Sequence, residues 1–334
     1  MKTILITGAT GFVGRHLVEH ALERGYKVVA SVRSSSNISW LNKRNIPIAA
    51  LSLSDPKKLD LDLKNIVETH GIIDFVIHCA GITQSFNPDD YYHVNYSLTR
   101  NLINALQKIE IISPKFIFIS SIAAIGPGNP LSLEPIREDD DPHPVTHYGK
   151  SKLKAEQFLK DQKELPWVII RPTVVYGPYE KNFFNMIKAI NLGFELYIGS
   201  KNQMLSFIYV DDLTDVIIKM CGNNLSKKVY NISDGFVYSA TKVNQIVKSV
   251  LNRKAISIVI PIWIVRIIAF FTEVSGRIIR RAPILNQDKL NELEQLNWLC
   301  DNSALVDEVG FSPKHNFESG IKKTIKWYKE NDWL

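Results

Sequence analysis

The sequence of 334 residues predicts an α/β fold in which helices cover both faces of a doubly wound parallel sheet, followed by a smaller, mostly helical C-terminal part. Two observations predict this fold. Short apolar segments alternate with helix-like segments through the first half of the chain, and continuously apolar strands are typical of a parallel sheet buried on both faces. A glycine-rich turn also follows the first strand, a position at which doubly wound sheets bind ligands.

The elements of this pattern can be placed along the chain. The predicted strands of the first half are residues 3–7, 27–32, 48–51, 74–78, 115–120 and 167–171. Apolar periodicity predicts helices between them at residues 13–24, 91–108 and 148–162. The later elements are a helix at 182–192, strands at 207–210 and 229–232, and helices at 240–250, 261–279, 287–293 and 317–328. We therefore expect one domain of residues 1–172 plus about 206–232, and a second of about 173–205 and 233–334.

The composition is that of an ordinary globular protein, with 45% hydrophobic and 22% charged residues. The net charge is +6, but the lysines and arginines are interleaved with acids, so we expect no nucleic-acid partner.

The three cysteines, Cys79, Cys221 and Cys300, are odd in number and far apart, which predicts neither a disulfide framework nor a metal site. Because the first strand begins at residue 3, we expect no signal peptide and a cytoplasmic protein.

The glycine-rich turn spans residues 7–14, with the sequence TGATGFVG. Gly8 permits a tight turn, Gly11 lets a phosphate approach the backbone, and Gly14 allows the helix to pack against the strand. The N-terminus of the following helix favours an anion through its free N–H groups and its dipole. On the glycines alone, a plain strand–turn–helix is an alternative. Their place after the first strand predicts a Rossmann-type dinucleotide site formed by Gly8, Thr10, Gly11, Phe12, Val13 and Gly14.

The residue that closes the second strand distinguishes the two nicotinamide dinucleotides. An acid at this position binds the ribose 2′-hydroxyl of NAD, whereas an arginine suits the 2′-phosphate of NADP. Arg33 follows the predicted strand, Ser34 and Ser35 come directly after it, and no acid is present. We therefore expect NADP as the cofactor and keep NAD as the alternative, since Arg33 at a strand end is also compatible with a solvated surface residue.

Two side chains four residues apart are candidates for acid–base catalysis. Tyr148 and Lys152 share one face of a predicted helix. A lysine ammonium and a cationic nicotinamide favour the phenolate and bring the tyrosine pKa toward the range useful for proton transfer. Tyrosine–lysine pairs are common on exposed helices, but this pair follows the fifth strand. That strand ends in Ser120 and Ser121, which supplies a hydroxyl donor beside the expected ligand site.

These features, in this order, resemble the extended short-chain dehydrogenase/reductases, also described as the NAD-dependent epimerase/dehydratase family. The resemblance covers nearly the whole chain, and its further motifs are HCAG at 78–81, VN at 94–95, YGKSK at 148–152, RPTVVYGP at 171–178 and FIYVDD at 207–212. It implies that Tyr148 is the acid–base residue, that Lys152 is its partner and that Ser121 polarises the substrate oxygen. It also implies cofactor contacts from Tyr148, Lys152, Leu53, Ala80, Gly81, Asn95, Pro172 and Val175.

The expected reaction is the interconversion of a secondary alcohol and a ketone by hydride transfer. Nucleotide-sugar members of the family often carry an Arg–Asp pair before the FIYVDD segment, but this chain has Leu205 and Ser206 there. The loss of the arginine, which binds the diphosphate, favours a rather hydrophobic substrate and a closer likeness to 3β-hydroxysteroid dehydrogenase-like and dihydroflavonol-reductase-like members. Two alternatives stay open: a nucleotide-sugar epimerase or dehydratase with tightly bound NAD, and a catalytically silent dinucleotide-sensing protein.

Residues 256–271 are nearly all apolar, although the segment is shorter than the roughly 18–20 apolar residues that span a bilayer. Arg277, Arg280 and Arg281 follow it. One interpretation is a core helix that closes the substrate domain. The other is a helix whose one face lines an apolar substrate pocket and also rests on an anionic membrane surface. A homodimer is a further open possibility.

Overall fold

A seven-stranded parallel sheet forms the centre of the molecule. The computed structural model describes residues 1–109, 114–279 and 286–334, with residues 273–279 described by their backbone alone. The strand order is β11-β6-β5-β4-β1-β2-β3, and every neighbouring pair is parallel. The strands of this sheet are β1 (Thr3–Thr7), β2 (Lys27–Val32), β3 (Ile48–Ala50), β4 (Phe75–His78), β5 (Lys115–Ile119), β6 (Trp167–Pro172) and β11 (Lys228–Ile232).

The remaining described strands form small sheets of two or three strands that are separate from the central sheet. β7 pairs with β10, β8 pairs with β13, and β9 lies between β12 and β14. These strands are β7 (Val174–Tyr176), β8 (Phe194–Ile198), β9 (Met204–Leu205), β10 (Phe207–Tyr209), β12 (Tyr238–Ser239), β13 (Ile256–Ile260) and β14 (Asn297–Trp298).

Helices cover both faces of the sheet and build the C-terminal part. In chain order they are α1 (Phe12–Glu23), α2 (Ser39–Lys43), α3 (Pro56–His70), α4 (Pro88–Tyr91), α5 (Leu98–Lys108), α6 (His147–Lys160), α7 (Lys181–Asn191), α8 (Val210–Cys221), α9 (Ala240–Leu251), α10 (Ile262–Ile279), α11 (Gln287–Leu293), α12 (Ser303–Val309) and α13 (Phe317–Glu330). A π-helical turn at Tyr92–Ser97 joins α4 to α5, and a 3-10 turn at Ile122–Ala124 follows β5.

Two hydrophobic cores, one on each face, hold the central sheet between its helices. Successive residues of a strand point to opposite faces. Ile4 accordingly packs in one core with residues of α1 and α8, whereas Leu5 packs in the other with residues of α3, α5 and α6. A third core, around Tyr176 and Phe317, joins α7, α9 and α13. The doubly wound parallel fold expected from the sequence is therefore confirmed.

The later part of the chain contains more strands than the sequence predicted. β13 takes up residues 256–260, the first part of the apolar segment, and pairs in parallel with β8, which had not been predicted. The predicted helix at 91–108 is interrupted by the π-helical turn. In agreement with expectation, β11 returns to the edge of the central sheet beside β6.

The described part of α10 is not the all-round buried helix that one of the two interpretations required. Val265 and Ala269 are buried against Leu290 of α11. In contrast, Trp263 is 61% exposed and Phe271 is 64% exposed. In residues 262–272, whose side chains the structure describes, one stripe of the helix is buried and the opposite stripe is exposed, so the core-helix interpretation is wrong for this part. Within the described ranges, no helix combines the length and the apolar character that crossing a bilayer requires.

Candidate active site

The glycine-rich turn forms a close cradle between β1 and α1. Gly8 has a φ of +70°, a conformation that favours glycine, and a Cβ on it would lie 2.8 Å from the Ala80 nitrogen. A Cβ on Gly14 would lie 2.0 Å from the Gly8 oxygen. Gly11 is the N-cap of α1, and among the described residues no side chain caps this helix. The first N–H groups, those of Phe12 and Val13, therefore point to an anion site, and the cradle fits a dinucleotide diphosphate.

Two cavities meet at this turn, since Gly8, Thr10, Gly11 and Gly81 line both. The larger, of about 1430 Å³, extends toward the C-terminal part of the chain. The predicted site residues that line it, besides the shared ones, are Phe12, Val13, Gly14, Ser121, Tyr148, Lys152, Pro172 and Val175. The smaller, of about 280 Å³, lies beside β2 and β4, and the predicted residues that line only this one are Arg33, Leu53 and Ala80.

A buried hydrogen-bond chain fixes the end of β4 beside the cradle. The Thr7 hydroxyl accepts a hydrogen bond from the Ala80 N–H at 3.2 Å and lies 2.7 Å from Nδ1 of His78. The other ring nitrogen of His78 lies 2.8 Å from the hydroxyl of Thr99. Burial lowers the pKa of His78 to about 3, so the ring is neutral. These hydrogen bonds thus position the backbone at Ala80 without placing a charged side chain beside the glycine-rich cradle.

Asn95 lies in the π-helical turn and is not among the residues that line the two cavities. It is fully buried, its Oδ1 accepts from the N–H of Ile82 at 2.8 Å, and its Nδ2 donates to Ile82 O and to the hydroxyl of Ser151, both at 3.0 Å. Single π-helical turns occur often at functional sites. Here the turn lets one amide tie the loop after β4 to helix α6, so Asn95 is a positioning residue.

Tyr148, Ser121 and Lys152 come together in the larger cavity, as the sequence predicted. The Ser121 side chain hydrogen-bonds the Tyr148 phenol. The Lys152 ammonium donates to the carbonyl oxygen of Ile119 at 2.8 Å and lies 4.8 Å from the ring centre of Phe118. The three side chains therefore present a hydroxyl, a phenol and an ammonium to the same space, beside the glycine-rich cradle.

In the absence of a cofactor, burial has the largest effect on the pKa values of Tyr148 and Lys152. Burial is the largest influence on Tyr148 and raises the pKa of its phenol, although the Ser121 hydrogen bond acts in the opposite direction. Burial also lowers the pKa of Lys152 to about 8. In the protein alone, therefore, Tyr148 carries its proton at neutral pH.

Close packing sets the position of α6 relative to Ser121. Gly149 lies between Tyr148 and the lysine, and a Cβ on it would lie 2.2 Å from the Ala123 carbonyl oxygen. Thr146 caps the helix, because its hydroxyl accepts from the Gly149 N–H at 2.9 Å. The glycine of the YGKSK motif is thus required for the approach that joins Tyr148 to Ser121.

Beneath these residues lies a buried ion pair. Arg171 and Glu156 are 1% and 0% exposed, and Nη2 of the arginine lies 2.6 Å from Oε2 of the glutamate. Oε1 of Glu156 also accepts from the hydroxyl of Ser120 at 2.5 Å. Both serines after β5 line the larger cavity, but the hydroxyl of Ser120 donates to the ion pair.

Some site residues carried no recognisable sequence signal. Asp288 of α11 accepts hydrogen bonds from the backbone N–H groups of His147 and Tyr148, at 2.6 and 3.3 Å, and so binds the N-terminus of α6. Lys289 and Glu292 of the same short helix line the cavity, and Nζ of the lysine lies 2.5 Å from Oε1 of the glutamate. They follow Tyr148 by more than 130 positions, so only the tertiary fold brings them to the site.

Leu205 and Ser206 stand at the positions where nucleotide-sugar members of the family often carry an Arg–Asp pair. Both residues line the larger cavity. Leu205 packs with Trp298 in a small apolar cluster. The Ser206 hydroxyl accepts from the backbone N–H of Cys300 at 3.1 Å. This wall of the cavity is thus mainly apolar, and the cations that line the cavity elsewhere include Lys181 and Lys289.

Comparison with known proteins gives related enzymes. The chain is 29% identical to a UDP-glucose 4-epimerase of Vibrio cholerae over 97% of this chain and 95% of that protein. It is 24% identical to a sterol-4-alpha-carboxylate 3-dehydrogenase (decarboxylating) of Dictyostelium discoideum, over 96% and 99%. A solved UDP-glucuronic acid 4-epimerase of Bacillus cereus, in complex with UDP-glucuronic acid and NAD, superposes with a TM-score of 0.77 at 22% identity, over 98% and 99%.

These relatives do not single out the narrower likeness to steroid dehydrogenases and dihydroflavonol reductases that the sequence suggested, because they include a nucleotide-sugar epimerase as well as a sterol dehydrogenase. The broader resemblance is confirmed. The family model of the NAD dependent epimerase/dehydratase family matches residues 4–233, which is more than half of the chain. The chain therefore belongs to the NAD-dependent epimerase/dehydratase family.

Proposed function

We propose that this protein is an epimerase that acts on a sugar carried by a diphosphate. It would oxidise one ring hydroxyl transiently and return it with the opposite configuration. The observation that carries the proposal is the meeting of Ser121, Tyr148 and Lys152 in one large cavity that continues to the glycine cradle. The similarity to the Vibrio cholerae epimerase over nearly the whole chain supports the same reaction class.

The roles of the residues follow from their positions. When bound, a nicotinamide dinucleotide supplies reversible two-electron oxidation of the carbon that carries the hydroxyl. Ser121 holds the sugar oxygen by a hydrogen bond, and Tyr148 exchanges its proton. To accept the proton of the sugar hydroxyl, Tyr148 must first lose its own; burial opposes this loss by raising the tyrosine pKa, and the positive charges of Lys152 and of a bound nicotinamide would favour it. The large cavity gives the oxidised sugar room to present its other face.

Epimerisation is favoured over dehydration by the residues beside Ser121. Loss of water requires an additional acid and base at the neighbouring carbons. The turn after β5 carries Ile122, Ala123 and Ala124, none of which transfers a proton. Glu292 lies in the same cavity, but it is paired with Lys289.

A second candidate is the reversible oxidation of a hydrophobic secondary alcohol to a ketone. Leu205 and Trp298 make one wall of the cavity apolar. Leu205 stands at the position where nucleotide-sugar members often carry an arginine. A diphosphate binds best to cations and hydrogen-bond donors. The sterol dehydrogenase relative supports this candidate.

For the cofactor we propose NADP. Arg33 is exposed at the edge of the smaller cavity, and Ser36, whose hydroxyl lies 3.3 Å from that of Thr10, borders the same space. A guanidinium and hydroxyls suit a ribose 2′-phosphate. NAD, which the Bacillus cereus structure contains, is the alternative.

The test uses the purified protein with no added dinucleotide and a panel of UDP-sugars, followed by proton NMR. We expect a 4-epimer to accumulate with the wild type and not with Tyr148→Phe. A panel of ketones graded by hydrophobicity, assayed with NADPH, forms the second arm. Turnover only in that arm supports the dehydrogenase and contradicts the epimerase. Absence of turnover in both arms leaves a dinucleotide-binding protein without catalytic activity.

A further inference from the structure

We propose that the exposed apolar surface formed by β8, β13 and the first turns of α10 docks on an anionic lipid bilayer. This surface, named here the apolar platform, consists of the outward-facing residues Phe194, Leu196, Ile256, Ile258, Trp263, Ile267, Phe270 and Phe271. Its members are between 38% and 69% exposed. The proposal does not depend on the reaction that the site performs.

The two strands supply a flat part of the platform. In the parallel pairing, Ile256 lies beside Phe194 and Ile258 beside Leu196. Residues two apart on a strand share a face, so these four side chains form one apolar patch. The next pair on the same face, Ile198 and Ile260, packs against the Val265 cluster and is partly buried. Helix α10 therefore covers one end of this face and leaves the other end open.

The helix supplies the aromatic part of the platform. Val265 and Ala269 anchor it, while Trp263, Ile267 and Phe270 follow the spacing of a second helical stripe, which faces away from the protein. Trp and Phe side chains on a helix whose neighbours are basic are typical of elements that lie in the headgroup region of a membrane. An ordinary surface helix would carry polar residues at these positions.

The charges in the sequence around the platform are mainly positive. In residues 188–204 and 252–273 the basic residues are Lys188, Lys201, Arg253, Lys254 and Arg266, and the acids are Glu195 and Glu273. Glu195 is buried and paired with Lys248 at 2.7 Å, and Arg266 is paired with Glu294 at 2.6 Å. Lys201 lies at the rim, with its ammonium 2.7 Å from the Ser257 hydroxyl. Arg277, Arg280 and Arg281 continue the basic sequence but lie outside the described side chains.

This charge pattern favours lipid over a second copy of the chain. Two copies joined through the platform would bring like-charged rims together, and such juxtaposition opposes association. Anionic headgroups complement the same rim, because basic residues close to the surface are attracted to anionic lipid. The platform also continues into the large cavity, which Leu196, Ile198 and Ile260 line. Docking would therefore bring the apolar end of the cavity to the bilayer.

The test is flotation of the full-length protein with vesicles of phosphatidylcholine alone or mixed with phosphatidylglycerol. The variant carries Trp263→Ser and Phe271→Ser, and the matched control carries Phe236→Ser, which removes an aromatic side chain that is 54% exposed elsewhere. We expect the wild type and the control to float with the mixed vesicles and the variant to lose at least about 10-fold in affinity. Added salt should weaken binding.

The outcomes separate the explanations. Thermal melting by circular dichroism checks that the variant remains folded, which its exposed positions predict. No flotation of the wild type, or equal flotation of the variant and the control, overturns the proposal. A wild-type dimer that dissociates in the variant, without vesicle binding, also overturns it and assigns the platform to self-association.

Discussion

The buried pair of Arg171 and Glu156 allows a quantitative prediction. In Glu156→Gln the arginine would keep its charge in a site that is about 1% exposed, and its hydrogen bonds would be made to a neutral amide. Breaking a buried pair by removing one partner typically costs about 3–5 kcal/mol. Because Gln retains the shape and part of the hydrogen bonding, we expect the free energy of unfolding to fall by about 3 kcal/mol.

The measurement is urea unfolding followed by circular dichroism, in which this loss should move the midpoint down by about 1 M or more. The control is Glu318→Gln, which breaks the exposed Lys322–Glu318 pair, whose side chains are 60% and 57% exposed. Exposed pairs contribute about 0–1 kcal/mol, so the control should unfold near the wild-type midpoint. If Glu156→Gln and Glu318→Gln unfold at the same urea concentration, the buried ion pair does not stabilise the fold by the expected amount.

Three further predictions concern the site. Burial lowers the pKa of Lys152 to about 8, so its ammonium loses its proton as pH rises through that value. Turnover should therefore fall above about pH 8. A rate that continues to rise there contradicts a role for the charged ammonium. Arg33→Ala should weaken NADPH binding by about 1.5–3 kcal/mol and leave NADH binding nearly unchanged in fluorescence titrations, whereas equal wild-type affinities refute the NADP assignment. Gly14→Ala, whose Cβ would lie 2.0 Å from a carbonyl oxygen, should abolish dinucleotide binding, whereas Gly222→Ala, with the nearest atoms at 3.7 Å, should retain it.

The central sheet was predictable because each of its strands is marked locally. Continuously apolar strands such as β1 and β6 are buried on both faces, so their sequence alone indicates their position. The cradle was equally predictable, since Gly8 and Gly14 occupy positions where any side chain would collide with backbone. Helix α3, which was not among the predicted helices, also carries a local start signal, because the Asp55 side chain caps it and Pro56 is its first residue.

The pairing of β8 with β13 was not predictable in this way. The two strands are separated by about 60 residues, and the apolar run that contains β13 continues directly into α10. Such a run fits a strand or a buried helix equally well by periodicity. The contact of Asp288 with the N-terminus of α6 depends on the same kind of long-range packing, and so does the position of Lys289 and Glu292 in the cavity wall.

Within the site, sequence identified which residues meet but not their protonation. The spacing of Tyr148 and Lys152 put both on one helix face, and the serine at the end of β5 was correctly expected to face them. The degree of burial depends on helices packed from elsewhere in the chain. Burial raises the tyrosine pKa and lowers that of the lysine, so the unliganded protein holds the phenol protonated.

The most direct test of the account is the activity of Tyr148→Phe with the substrate that the two panels identify. The phenyl ring fills the same space but has no proton to exchange with the substrate oxygen. We expect dinucleotide affinity and the thermal melting temperature to stay at their wild-type values, and turnover to fall by roughly 100-fold or more, the scale of acid–base catalysis. Turnover near the wild-type rate in Tyr148→Phe would contradict the assignment of Tyr148 as the group that exchanges the proton.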